Sequence, residues 1–241
     1  MSFPVPCVRS VSTMSSSIPA VDLPGLKNLL GEARVQKGVD DIWGMVGGIF
    51  EKAQKELPAQ HAMPRRELSF HEHVKLLGYL CLLMGEIPGD IVEIGVWKGK
   101  SLCFMSQICG RKRRIFGIDP MELEKQPDEL GYYHGKLFPE ATLIRGYSEL
   151  VADRLYAEAP RTVLLHIDGG HAGRNVLLDF LLYAPSVVAG GFVVFDDYGD
   201  HRYSPEVGPA VDLLRVGGYF NDFHVLGIVP GYENSYLLQR K

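Results

Sequence analysis

The stretch Asp90–Ser101, DIVEIGVWKGKS, decides the fold. A run rich in β-branched residues, Ile91 to Val96, gives way to a glycine turn, and a helical segment begins near Lys98. That is a strand, a tight turn and a helix in succession. Outward from it the unit recurs. The runs Arg114 to Ile118, Ala141 to Ile144, Thr162 to Ile167 and Gly191 to Phe195 alternate with helical segments. Such alternation predicts an α/β, Rossmann-like doubly wound parallel sheet with helices on both faces. The last two runs, Phe223 to Val229 and Ser235 to Gln239, have only the Pro230-Gly231 loop between them. No crossover helix fits there, so the final strand must run antiparallel to its neighbour.

Upstream of this core the pattern is helical. From Leu23 to about Leu57 apolar residues recur at helical spacing, interrupted by Gly31, Gly38, Gly44, Gly47 and Gly48, which predicts two or three short helices. A further helix carries Val74, Leu77, Leu80 and Leu83 and stops at the turn from Gly85 to Gly89. The expected organisation is a disordered tail over 1–20, an N-terminal helical cap over 21–88 and the main domain over 89–241. The tail is Ser-rich and acid-free, which faintly matches a transit peptide, but it has one arginine and no apolar core.

Composition narrows the function classes. Net charge is -4, with 46% hydrophobic and 22% charged residues, so neither nucleic acid nor an anionic membrane is an expected partner. No apolar run reaches the ~18–20 residues that span a bilayer. Cys7, Cys81, Cys103 and Cys109 show no CxxC pair and read as reduced thiols of a cytoplasmic protein.

The strand ends carry the chemistry. In the first turn, Glu93, Gly95, Gly99 and Ser101 follow E-x-G-x-x-x-G rather than G-x-G-x-x-G. Glycines admit a ligand close to the backbone. A leading acid suits an ammonium group or a water network better than a pyrophosphate, which favours a ligand with an amino-acid moiety. The second strand ends at Asp119, placed to accept ribose hydroxyls, or else to start a turn before Pro120. The third ends at Arg145-Gly146-Tyr147-Ser148. There Tyr147 can stack on an adenine and Ser148 can bond its edge, or Ser148 can be only a helix N-cap. The fourth ends in IDGGH, Ile167–His171, and the fifth in FDDYGD, Phe195–Asp200. Asp168, Asp196 and Asp197 then make an oxygen-only site suited to Mg²⁺, Mn²⁺ or Ca²⁺. The plainer reading of Asp196-Asp197 is a turn before Gly199.

These motifs together, VEIGVWKGKS, GIDP, RGYS, LLHIDGGH and GGFVVFDDYG, resemble the class I S-adenosylmethionine-dependent methyltransferases. More narrowly they resemble the metal-dependent O-methyltransferases of the macrocin type, over about Phe70 to the C-terminus. The resemblance implies a seven-stranded sheet with an antiparallel last strand and an S-adenosylmethionine-binding main domain. It implies Mg-assisted methylation of a hydroxyl on a small molecule, in some relatives a sugar hydroxyl of a natural product. Pairing into a homo-oligomer through the N-terminal helices is common among relatives. Asp168, Asp196 and Asp197 occupy the family's metal-ligand positions. Some relatives keep an aspartate two residues after the first ligand, where this chain has Gly170. That departure leaves His171 as the leading general base, with Asp168 the second candidate; His171 can equally be a helix N-cap or a partner to a carboxylate.

Around the acceptor, His71, His73, His134, His201 and Tyr203 are further candidates. Trp97 either covers the cofactor or anchors the core, and the segment Met121–Gly135 reads as a long lid loop. Two other classes fit the strand pattern: a binding module that kept the fold and lost the chemistry, and a nicotinamide-dependent oxidoreductase, against which the absent G-x-G-x-x-G speaks.

Overall fold

A computed structural model of the protein describes residues 24–65, 67–68, 71–85 and 87–241. The tail expected over 1–20 lies outside the described residues. Seven strands form one sheet: β1 (Asp90–Ile94), β2 (Ile115–Asp119), β3 (Thr142–Arg145), β4 (Thr162–Ile167), β5 (Val187–Phe195), β6 (Phe223–Val229) and β7 (Tyr232–Arg240). Their order is β3-β2-β1-β4-β5-β7-β6, parallel except for β7, which runs antiparallel to both β5 and β6. Pro230 and Gly231 alone join the last two strands, with Gly231 at φ 87°. The chain order reverses between β1 and β4, and open α/β sheets bind ligands at that switch point, outside the carboxyl ends of the strands.

The N-terminal helices are α1 (Pro24–Gly31), α2 (Ala33–Glu56) and, after a 3-10 turn at Glu72–Val74, α3 (Lys75–Met84). The interruptions expected inside α2 do not occur; it is one helix of 24 residues. Side chains added at Gly38, Gly44 or Gly48 would meet nothing, so these glycines sit on the open face. The opposite face buries Val39, Trp43, Val46, Phe50 and Ala53, and tertiary packing of that stripe outweighs the ~1 kcal/mol that each glycine costs a helix.

α1 to α3, α4 (Lys100–Ile108) and α5 (Gln126–Leu137) share a core with Ile91, Leu164, Phe192 and Val194 on one sheet face. The other face, with Val92, Ile94, Leu165, Ile167 and Phe195, is covered by α6 (Ser148–Glu158), α7 (Gly173–Tyr183) and α8 (Val207–Val216). The expected lid loop over Met121–Gly135 is largely helix α5. Its residues Leu130, Tyr133 and Leu137 are buried, with Tyr133 5.1 Å from Phe50 of α2, so only the short Pro120–Lys125 connection remains irregular. Among the described residues no helix is long and apolar enough to cross a membrane.

Candidate active site

The strand-to-helix turn after β1 is built for close approach. A Cβ at Gly95 would fall 1.8 Å from the Asp168 carbonyl oxygen, and Gly95 itself has φ 89°, so only glycine fits there. The helix α4 begins at Lys100, two residues later than the sequence suggests, because Trp97 and Gly99 also take positive φ, 52° and 79°. A bulky residue at positive φ is strained and persists only where its surroundings hold it. Asp119, at the end of β2, does so: its Oδ2 accepts the backbone N–H groups of Val96 at 2.9 Å and Trp97 at 3.1 Å. Its Oδ1 accepts from Met121 N–H at 2.6 Å and Gln126 Nε2 at 3.1 Å. The carboxylate thus clamps the glycine turn to the start of the Met121 loop.

A cleft of about 570 Å³ opens above the switch point. Its walls include Gly95, Trp97 and Asp119 on one side, Tyr147, Ser148 and Asp179 on another, and Asp168, His171, Asp196 and Asp197 at its acidic end. The sequence-derived candidates Gly95, Asp119, Tyr147, Ser148, Asp168, His171, Asp196 and Asp197 therefore meet in one place. Three do not reach its lining. Glu93 is fully buried beneath it, with Oε1 2.8 Å from His166 Nδ1 and Oε2 without a partner. Gly99 faces inward, where a Cβ would fall 2.2 Å from the Phe138 ring. Ser101 lies one residue into α4, below the turn.

Tyr147, the N-cap residue of α6, donates its hydroxyl to Glu122 at 2.5 Å across the cleft mouth. Ser148 is the first residue of that helix and gives its hydroxyl to Asp179. Asp179 is buried, and burial pushes its carboxyl up to about 6, against the lowering effect of the Ser148 bond.

At the acidic end, the strand ladders carry on past the strands: Asp168 N–H bonds Ile94 C=O at 2.8 Å and Asp196 N–H bonds Ile167 C=O at 2.9 Å. Asp168 and Asp196 thereby stand side by side. Asp197 sits at φ 58°, in a turn held by Tyr198, whose N–H bonds Asn234 C=O at 2.8 Å and whose ring packs 4.6 Å from Tyr236. Burial holds the Asp168 carboxyl well above the usual carboxylate range, and the charges of Asp196, Glu93, Asp197 and Asp119 push it further. Acids crowded this way are stabilised by a cation, and their hard oxygens fit a divalent one. Oxygens of Asp168 and Asp197 and a nitrogen of His171 lie within 4.8 Å of one another, as do those of Asp168, Asp196 and His166.

Histidines complete the acidic end. His171 precedes α7 by two residues; its Nε2 is 3.2 Å from Asp197 Oδ2 and its Nδ1 is 2.7 Å from Ser204 Oγ. Ser204 donates to Asp197 Oδ2 at 2.8 Å. His73 reaches in from the N-terminal helices, with Nε2 3.1 Å from Asp196. Burial alone would lower the His73 pKa; the bond to Asp196 and the charges of Asp196 and Asp197 outweigh it and hold the ring above its ordinary value. His71 lines the cleft and stacks on His73 at 5.4 Å. His134 does not border the cleft; its Nε2 is 2.8 Å from Ala141 C=O, at the far end of β3. His201 and Tyr203 are exposed and not part of the lining.

Sequence reading missed Asp179, Asn175 and Gln126 in the cleft wall, and His166 beneath it. Asp179 and Asn175 lie four residues apart on α7, a helical-face signal available from spacing. His166, inside an otherwise apolar strand, was legible as an anomaly, since a buried ionisable side chain needs a partner.

Residues 92–198 match the family model of a methyltransferase domain. The chain is 33% identical over 173 residues to uncharacterized protein R132 of Acanthamoeba polyphaga mimivirus, covering 67% of this chain and 77% of that one. Among solved structures, the O-methyltransferase NovP aligns with TM-score 0.58 at 16% identity, covering 86% of this chain and 99% of that one. CalS11, a TDP-rhamnose 3'-O-methyltransferase of calicheamicin biosynthesis, aligns at 0.55 and 18% identity, covering 86% and 95%. At such identities the structural likeness shows the shared fold. The chain belongs to the methyltransferase-domain family and is a class I S-adenosylmethionine-dependent methyltransferase, as the macrocin-type resemblance implies.

Proposed function

We propose that the protein moves a methyl group from S-adenosylmethionine to a hydroxyl oxygen of a small molecule, with Mg²⁺ or Mn²⁺ held by Asp168, Asp196 and Asp197. The observation that carries this reading is the convergence of those carboxylates, from two adjacent strand ends, on the acidic end of the cleft that the Gly95 turn opens. In the cofactor half, Gly95 gives the backbone approach, Asp119 fixes the turn, and Tyr147 and Ser148 border the adenine side. Glu93, Gly99 and Ser101 support that half from below. A divalent ion, when bound, supplies a lowered pKa to a hydroxyl that it holds.

The chain's own residues do the rest. Methyl transfer requires the acceptor oxygen, the methyl carbon and the sulfonium in line, which is mainly positioning. The hydroxyl proton needs an acceptor. Ser204 Oγ gives its single proton to Asp197 and holds His171 Nδ1 at 2.7 Å, so the imidazole is fixed at the acidic end of the cleft with Nε2 3.2 Å from Asp197 Oδ2. His171 is accordingly the general base, with Asp168 as the second candidate. The likeness to CalS11 supports a sugar-bearing acceptor.

A thermal-shift comparison with S-adenosylmethionine, NAD and Mg²⁺ tests the reading. Stabilisation by S-adenosylmethionine, increased by Mg²⁺, is expected. Stabilisation by NAD alone would contradict it, and binding without transfer to any hydroxylated acceptor would reduce the protein to a binding module.

A further inference from the structure

We infer that His166, held in place by Glu93, is a nitrogen ligand of the divalent ion, so that the centre prefers Mn²⁺, Fe²⁺ or Co²⁺ to Mg²⁺. The inference rests on the metal reading above and deepens it. Glu93 on β1 and His166 on β4 are register partners, and both side chains are buried, at 0% and 1% exposure. Glu93 Oε1 lies 2.8 Å from His166 Nδ1; a ring with its proton on that side offers Nε2 as a lone-pair donor to a cation. Among the described residues His166 makes no other hydrogen bond.

What faces it is the acidic cluster. Positions 166 and 168 share one face of β4, because successive side chains alternate. A ring nitrogen of His166, an oxygen of Asp168 and an oxygen of Asp196 lie within 4.8 Å of one another. A carboxylate fixing one imidazole nitrogen while the other meets a cation is the usual arrangement behind a metal-bound histidine. A carboxylate hydrogen-bonded behind an imidazole raises the ring's strength as a metal donor, and Glu93 stands in that position. Mg²⁺ takes oxygen ligands almost exclusively, whereas an imidazole among carboxylates suits the later first-row ions.

Pulsed electron paramagnetic resonance of Mn²⁺ bound to the full chain, with calorimetry beside it, tests this. Wild type is expected to show nitrogen coupling from one directly bound imidazole. His166→Gln should abolish the coupling and weaken Mn²⁺ binding at least about tenfold, with Mg²⁺ binding changed much less. Glu93→Gln should weaken Mn²⁺ binding while the coupling persists, which separates a ligand from a residue needed only for folding. Mn²⁺ bound without nitrogen coupling would overturn the inference and leave the oxygen-ligand site standing. Coupling that survives His166→Gln and disappears in His171→Gln would overturn it in favour of the outer histidine. No binding of either ion would overturn both this inference and the metal reading on which it rests.

Discussion

Ser148 and Asp179 are joined across the cleft wall, the hydroxyl at the start of α6 donating to a carboxylate on α7 that is buried and lifted to about 6. The folded protein therefore binds a proton at Asp179 more tightly than the unfolded chain does, where an aspartate titrates at its ordinary 3.8. Below that unfolded value the acid is protonated in both states and costs nothing. As pH rises through about 6, ionisation in the folded state lags and stability falls. The full effect above that point is about 2–3 kcal/mol. Asp179→Asn keeps the bond to Ser148 and removes the charge. It should stabilise the protein by that order at pH 7.5 and by little at pH 4, measured by urea unfolding. An equal shift at both values would be inconsistent with a buried charge at this position.

Lys98 and Glu129 form an ion pair of 2.9 Å with both side chains almost wholly buried. The lysine also donates to Arg65 C=O at 2.8 Å, and the carboxylate accepts Met63 N–H at 2.6 Å. The pair ties the segment over the glycine turn to α5. Lys98→Met strands a buried carboxylate and should cost about 3–5 kcal/mol. Adding Glu129→Gln should recover part of that loss, so a double-mutant cycle by chemical denaturation should show strong coupling; additive losses would mean that the two side chains act independently.

Asp197 combines a proposed metal contact with a backbone φ of 58°. Asparagine tolerates that region, whereas alanine pays about 1 kcal/mol. Asp197→Asn should leave S-adenosylhomocysteine affinity and the unfolding midpoint close to wild type while turnover with Mg²⁺ falls at least about tenfold. Asp197→Ala should lose the same activity and also unfold earlier. Lost cofactor affinity with normal turnover would place Asp197 on the cofactor side.

His171 lies half-exposed beside Asp197 and Ser204, so deleting its ring leaves a space open to solvent. His171→Ala should lower turnover by roughly 10²–10⁴-fold with cofactor affinity preserved, and added imidazole should restore part of it. Rate loss accompanied by lost cofactor binding, with no rescue, would make His171 a structural partner of the turn.

The sheet was legible because each of the first five strands is a short run ended by glycine or aspartate, and the Pro230-Gly231 turn admits no crossover. The cleft residues at strand ends were legible for the same reason. α2 was not, because local glycine propensity favoured breaks while the stripe from Val39 to Ala53, buried against α4 and α5, held it in one piece. α5 was missed because its acidic, tyrosine-rich sequence conceals a narrow stripe, Leu130, Tyr133 and Leu137, and its Lys98–Glu129 bond comes from another element. The same limit hid the carboxylate partners of His73 and His166, which stand 123 and 73 residues away in the chain.

The decisive measurement is methyl transfer itself. The full chain, incubated with S-adenosylmethionine, Mn²⁺ or Mg²⁺ and a panel of sugar-nucleotide and vicinal-diol acceptors, is followed by mass spectrometry. The expected result is S-adenosylhomocysteine formed in step with one methyl group gained on an acceptor hydroxyl, halted by chelation of the ion and restored by adding it back. Transfer that proceeds undiminished in chelator, or in a variant lacking Asp168, Asp196 and Asp197 together, would contradict a metal-assisted reaction at this cleft.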